Sequence, residues 1–123
     1  MIDACLRQGI HVNFYSLNED LTPALPSDLS LHPGEYLYLV NYYGQLTDEK
    51  ILYYKKYYKN IIVDHTHAFF QHPLPGVDTL YSCRKFFGLS DGAYLSTDAT
   101  LTAGKEQDVS AERMGHILGR FEK

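Results

Sequence analysis

The stretch Tyr36–Asp64, YLYLVNYYGQLTDEKILYYKKYYKNIIVD, decides the fold. It opens on YLYLVN (36–41), a nearly continuous apolar run of strand length, which is the pattern of a strand buried on both faces of a parallel sheet. It closes on a second such run, IIVD (61–64). Between the two, Thr47 has the chemistry of a helix N-cap. Asp48 and Glu49 fall in the positive first turn, and Lys55, Lys56 and Lys59 fall near the negative last turn. Ile51, Tyr54 and Tyr58 recur at i, i+3 and i+7 and make one apolar stripe. Asn60 is placed to end the helix. Strand, helix, strand within about 30 residues is a βαβ unit, which crosses over right-handed.

Toward the N-terminus, IDACLRQ reads as a helix stopped by Gly9. IHVNFYSL alternates Ile10, Val12 and Phe14 on one face and predicts a strand. Asn18 to Gly34 carries Pro23, Pro26 and Pro33 among polar residues and predicts a long connection. Toward the C-terminus, a loop with Pro73, Pro75 and Gly76 leads to a short strand, VDTLYS (77–82). CRKFFG (83–88) predicts a turn, GAYLST (92–97) another strand, and Ser110 the cap of a final helix from Ala111 to Phe121. The expected fold class is therefore α/β, a single unit over residues 1–123. The first helix has no strand before it, and the last has nothing beneath it to pack on. These ends predict a partial three-layer α/β/α domain with a mostly parallel sheet, incomplete at both ends and cut from the centre of a larger one.

The formal charge is 11 − 15 = −4. No basic excess is present to neutralise phosphates, so neither a nucleic acid nor an anionic membrane surface is expected as partner. No run approaches the roughly 20 apolar residues of a membrane span. MIDACLRQGI lacks the basic and apolar regions of a secretory leader. Two cysteines without a C-x-x-C pair read as reduced thiols. A cytoplasmic protein is the expectation. There are 11 tyrosines and no tryptophan. Adjacent tyrosines on a helix point about 100° apart, so pairs such as Tyr53-Tyr54 and Tyr57-Tyr58 suit a core boundary, with an apolar body inside and a wet tip outside.

Ligands of α/β sheets collect outside the carboxyl ends of the strands. Three polar groups lie there: Asn41 after YLYLV, Asp64 after IIV, and Ser82 to Lys85 after DTLY. A carboxylate and a lysine on neighbouring strand ends are what pyridoxal phosphate chemistry requires. The segments VNYYG, IIVDHTHAFF and DTLYSCRKFFGLSDGAYLST resemble, in that order, the large domain of fold-type I pyridoxal-phosphate enzymes. They are most similar to the sugar-aminotransferase branch (the DegT/DnrJ/EryC1/StrS family). The resemblance covers most of Tyr36 to Thr97. Its strongest matches are D-x-x-H-A at Asp64 to Ala68 and S-x-x-K at Ser82 to Lys85.

The resemblance implies a fragment of an aminotransferase-like enzyme whose cofactor is pyridoxal 5'-phosphate. It makes Lys85 the Schiff-base lysine that also shuttles the Cα proton. It makes Asp64 the partner of the pyridine nitrogen, and Ser82 a phosphate contact. His67 would lie near the cofactor ring and its phenolic oxygen, and Asn41 near that oxygen. The branch typically carries Gln where this chain has His67, and His where it has Asn41. The resemblance places the phosphate-cradling segment before residue 1 and a small domain after residue 123. It therefore implies small-molecule amino donors and acceptors for the whole enzyme, and little turnover by these 123 residues alone. Exposed sheet surface would favour homo-oligomers.

Three other readings compete. Ser82 and Lys85 match the S-x-x-K of penicillin-recognising enzymes, but no K-T-G follows. Asp64, His65, His67 and His72 contain zinc-ligand types, but no well-spaced third ligand is evident, so no metal is expected. A degenerate or truncated α/β domain that folds or self-associates without turnover is the non-enzymatic alternative.

Overall fold

The computed structural model describes residues 2–102, 113–115 and 118–119. Helix α1 spans Ile2–Arg7, and the chain turns beyond it through Gly9 at φ 70°. Two short strands, β1 (Ser16–Leu17) and β2 (Pro23–Ala24), pair antiparallel. The main sheet contains β3 (Leu37–Val40), β4 (Ile61–Asp64), β5 (Asp78–Ser82) and β6 (Ala93–Ser96), in that order. Helix α2 (Asp48–Tyr58) joins β3 to β4. β3–β4 and β4–β5 are parallel and β6 is antiparallel to β5, so the protein is mixed α/β with a mostly parallel four-stranded sheet.

The βαβ unit forms for the reasons its residues state. The Thr47 side chain accepts the Lys50 amide at 3.4 Å, Asp48 and Glu49 occupy the first turn of α2, and Lys55 and Lys56 the last. Ile51 and Tyr54 are buried against Leu37, Leu39, Ile61 and Val63, with Tyr58 packed on the margin of this core. Full burial of an aliphatic side chain such as Ile51 contributes about 1.5–3 kcal/mol. Tyr53 and Tyr57 face outward beside Tyr54 and Tyr58, as expected for paired tyrosines at a core boundary. The helix ends at Tyr58, two residues before Asn60, with Lys59 as its C-cap. Lys59 adopts φ 57°, ψ −56°, and the Asn60 amide donates to the Tyr58 carbonyl at 2.5 Å. That pairing is a γ-turn of the rare, strained kind.

Two expectations change. No strand forms over residues 10–15, and Phe14 is 78% exposed. Among the described residues, the apolar alternation there has no neighbouring strand to pair with. The strand begins instead at Ser16, and its partner lies in the region expected to be irregular. A turn at Asn18–Thr22 closes the pair, with the Asn18 amide bonded to the Thr22 carbonyl at 2.8 Å and the Thr22 amide to Asp20 Oδ1 at 3.1 Å. Tyr15 is the residue that docks, packing on the main core and donating from Oη to the Tyr38 carbonyl at 2.5 Å.

The strands also alternate in burial instead of being covered on both sides. Leu37, Leu39, Ile61, Val63, Thr79 and Tyr81 are buried, whereas Tyr38, Val40, Ile62, Asp64, Leu80 and Ser82 are half-buried. Of the two layers that would sandwich the sheet, the described residues show α2 on one face. The final helix expected from Ala111 to Phe121 falls largely outside the described residues.

Candidate functional site

Parallel pairing brings the carboxyl ends of β3, β4 and β5 to one edge of the sheet. Val40 lies opposite Asp64, and Asp64 opposite Leu80. Asn41, Asp64 and the Ser82–Lys85 segment therefore leave the sheet on the same edge, in chain order and on adjacent strands. The residues at this edge divide between the two faces.

Asp64 projects on the half-buried face. Its Oδ2 accepts the Tyr38 hydroxyl at 2.6 Å and its Oδ1 the Thr66 amide at 2.7 Å. Both carboxylate oxygens thus have a donor, and the plane of the group is fixed. Burial first, then the hydrogen bond to Asp64 and the charge of Asp64, push the Tyr38 phenol well above its ordinary pKa. Tyr38 therefore stays protonated as a donor throughout the working range of a protein.

Ser82 ends β5 and caps a single 3-10 turn, Cys83–Lys85. Its hydroxyl makes no capping bond. Lys85 is exposed, and among the described residues it forms no ion pair. Cys83, two residues before it, is buried, its amide bonded to the Gly92 carbonyl at 3.0 Å. This turn is rooted at one end while its lysine faces solvent.

Asn41 behaves differently. It is 0% exposed, and its Nδ2 donates to the Leu46 carbonyl (3.2 Å) and to Gln71 Oε1 (2.7 Å). Its Oδ1 accepts the Leu46 amide at 2.9 Å. Gln71 also donates from Nε2 to the Leu46 carbonyl (3.2 Å) and to Asp48 Oδ1 (2.9 Å). Asn41 and Gln71 together tie the end of β3, the start of α2 and the β4–β5 loop. Asn41 is thus committed to architecture beneath the edge, on the side of the sheet that carries α2.

His65 is 1% exposed. The Tyr81 hydroxyl donates to the Gln71 carbonyl at 2.9 Å, so the 3.3 Å approach of His65 Nδ1 to that oxygen places the imidazole proton on Nδ1. Nε2 then remains buried without a partner. Burial lowers the His65 pKa, against smaller raising effects of a backbone bond to Gln71 and the charges of Asp64 and Asp48. His67 lies under Tyr43 in a stacked arrangement (centroids 5.3 Å, planes 24° apart) and meets the edge of Tyr42 at 5.8 Å. Tyr43 adopts a left-handed φ of 53° to take that position, a conformation that costs a non-glycine residue about 1–3 kcal/mol. His67 lines an open cleft of about 250 Å³ with Tyr43, Phe69, Phe70, Gln71 and Phe86. Phe86 follows Lys85 directly, so the lysine-bearing turn and the His67 loop meet at this cleft.

Two residues at the edge carry more than their sequence positions suggest. Tyr38 reads as one more apolar strand residue until the register puts it two places from the partner of Asp64. Gln71 reads as loop. The D-H-T-H cluster does not close on a cation: among the described residues no three His, Cys, Asp or Glu side chains are grouped to hold a metal ion. No described helix is long and apolar enough to cross a membrane. Comparison with protein-family models, with curated proteins and with solved structures finds no match to this chain.

Proposed function

We propose that this chain carries the lysine and ring-nitrogen side of a pyridoxal-phosphate site, in an enzyme of the aminotransferase type similar to the sugar-aminotransferase branch. On this reading the sheet is the centre of a three-layer α/β/α large domain. The observation that carries the reading is the juxtaposition of Asp64 and the Ser82–Lys85 segment at the carboxyl ends of adjacent parallel strands.

The donor set fits the cofactor. A pyridine nitrogen needs an oriented carboxylate, and Asp64 is held by two donors. An imine-forming lysine needs an amine free of ion pairs, and Lys85 is exposed without one among the described residues. Ser82 has a hydroxyl not spent on capping, and the buried His67 Nδ1 has no partner. When bound, pyridoxal phosphate supplies an electron sink for cleavage at the substrate Cα. Asp64 would hold the ring-nitrogen proton, Lys85 would carry the cofactor and move the Cα proton, and the aromatic cleft beside His67 would offer an apolar wall. Asn41 would act from beneath, by fixing the β3–α2 loop.

Phosphate contacts anchor this cofactor, and Ser82 is a single contact, so capture by these 123 residues alone is expected to be weak. The full commitment of Asn41 to architecture favours the second reading, an α/β domain that folds without turnover. Absorbance titration of the chain with pyridoxal phosphate separates the two. The first reading expects a shifted cofactor band, small in amplitude, that Lys85→Ala removes. The second expects a spectrum that is the same for both proteins.

A further inference from the structure

We propose that Tyr38 is the positioning residue of this site: its hydroxyl sets the orientation in which the Asp64 carboxylate meets a bound ring. The proposal rests on the reading of Asp64 as the cofactor-facing carboxylate. It adds a residue that the chain's motifs do not single out.

Tyr38 and Asp64 come from different strands, 26 positions apart. The register aligns Tyr38 with Ile62 and Val40 with Asp64. Tyr38 is thus offset by two residues from the residue opposite Asp64, and the period of a strand puts both side chains on the same face. Side chains lean along the strand, and a phenol is long enough to bridge the offset. The contact of 2.6 Å is in the range of a charge-assisted O–H···O bond.

The hydroxyl complements the other donor. The Thr66 amide takes Oδ1 and Tyr38 takes Oδ2. With one donor alone, an aspartate at a strand end can exchange between χ1 rotamers and can also rotate about its last torsion, which is broad and weakly restrained. With a donor on each oxygen, the carboxylate plane is set before any ligand arrives, and a ring nitrogen must approach along the lone pairs left over. Preorganisation of this sort lowers the ordering cost of binding.

The test compares the wild-type chain with Tyr38→Phe, Tyr15→Phe and Asp64→Asn. Tyr15→Phe removes a neighbouring phenol that bonds to Tyr38 but does not touch Asp64. The first readout needs no cofactor: NMR scalar couplings of Asp64 report its side-chain rotamer. One rotamer is expected in wild type and Tyr15→Phe, and averaged couplings in Tyr38→Phe. The second readout uses pyridoxal phosphate and borohydride, with the ratio of reduced adduct on Lys85 to that on Lys56 counted by peptide mapping. Tyr38→Phe is expected to lower that ratio about tenfold, the order of effect for a lost bond to a charged group, and Asp64→Asn at least as much.

A Tyr38→Phe protein with a single Asp64 rotamer and an undiminished ratio overturns the proposal. A wild-type ratio near one removes the cofactor reading, and the rotamer measurement then still decides whether Tyr38 orients Asp64. Should Tyr38→Phe fail to fold, the wild-type chain answers alone. A Tyr38 hydroxyl proton protected from exchange supports the bond, and a freely exchanging one refutes it.

Discussion

Asn41 Nδ2 and Gln71 Oε1 lie 2.7 Å apart beneath the carboxyl edge of the sheet, joining the end of the first parallel strand to the loop that follows the second. The Leu46 carbonyl accepts from both side chains, and the Leu46 amide donates back to Asn41. The edge on which Asp64 and Lys85 stand is therefore held by a closed set of polar contacts. Replacing Asn41 by Ala strands the Leu46 amide in a buried place, and each unsatisfied buried group costs about 1–3 kcal/mol. Asn41→Ala is expected to lower unfolding stability by about 3 kcal/mol. Urea titration should show a lower midpoint at unchanged slope. An unchanged midpoint would mean that the network is dispensable.

His65 ties stability to pH. Burial lowers its pKa in the folded chain below the ordinary value of 6.5. Above pH 6.5 the ring is neutral in both folded and unfolded chains, and its contribution is complete. As the pH falls below 6.5, the unfolded chain takes up a proton that the folded chain refuses. Stability then declines until the folded-state pKa is passed, by at most about 1.4 kcal/mol per pH unit. Urea midpoints measured from pH 8 to pH 5 should fall along this slope, and His65→Gln should flatten it. Equal slopes for the two proteins would refute the assignment.

Lys59 stores strain. Its φ of 57° with ψ of −56° is unfavourable for a residue with a Cβ. Lys59→Gly is expected to stabilise the chain by about 1 kcal/mol, raising Tm by about 4 °C. The comparison is with Lys59→Ala, which keeps the Cβ. Equal melting temperatures for the two variants would show that the turn is unstrained.

Much of the fold is legible in the sequence. Tyr36–Asp64 declared its strand–helix–strand order because apolar runs, a capping Thr47 and end-matched charges all agree there. Residues 10–15 misled because alternation records which side chains could share a face, and among the described residues no strand is there for them to pair with. Lys59 was illegible for a plain reason: a helix ending at positive φ is signalled by glycine or asparagine, and here a lysine takes it at φ 57°. At the site, the positions of Asp64, Ser82 and Lys85 at one edge followed from counting strand ends. The Tyr38–Asp64 bond did not, because it depends on the register between two strands, and register is fixed by packing across both. Asn41 was legible as a strand-end polar group, but its use as a buried tie needed Gln71, which sits 30 residues further on in an irregular loop.

On the proposed reading, Lys85 and Asp64 are the reacting lysine and the ring-nitrogen partner of a pyridoxal-phosphate site. Borohydride reduction of the chain with pyridoxal phosphate, followed by peptide mapping, tests it most directly. The prediction is adduct on Lys85 in clear excess over the exposed Lys56 and Lys59, with the excess lost in Asp64→Asn. Adduct spread evenly over the exposed lysines, or an excess on Lys85 that Asp64→Asn leaves intact, would contradict it.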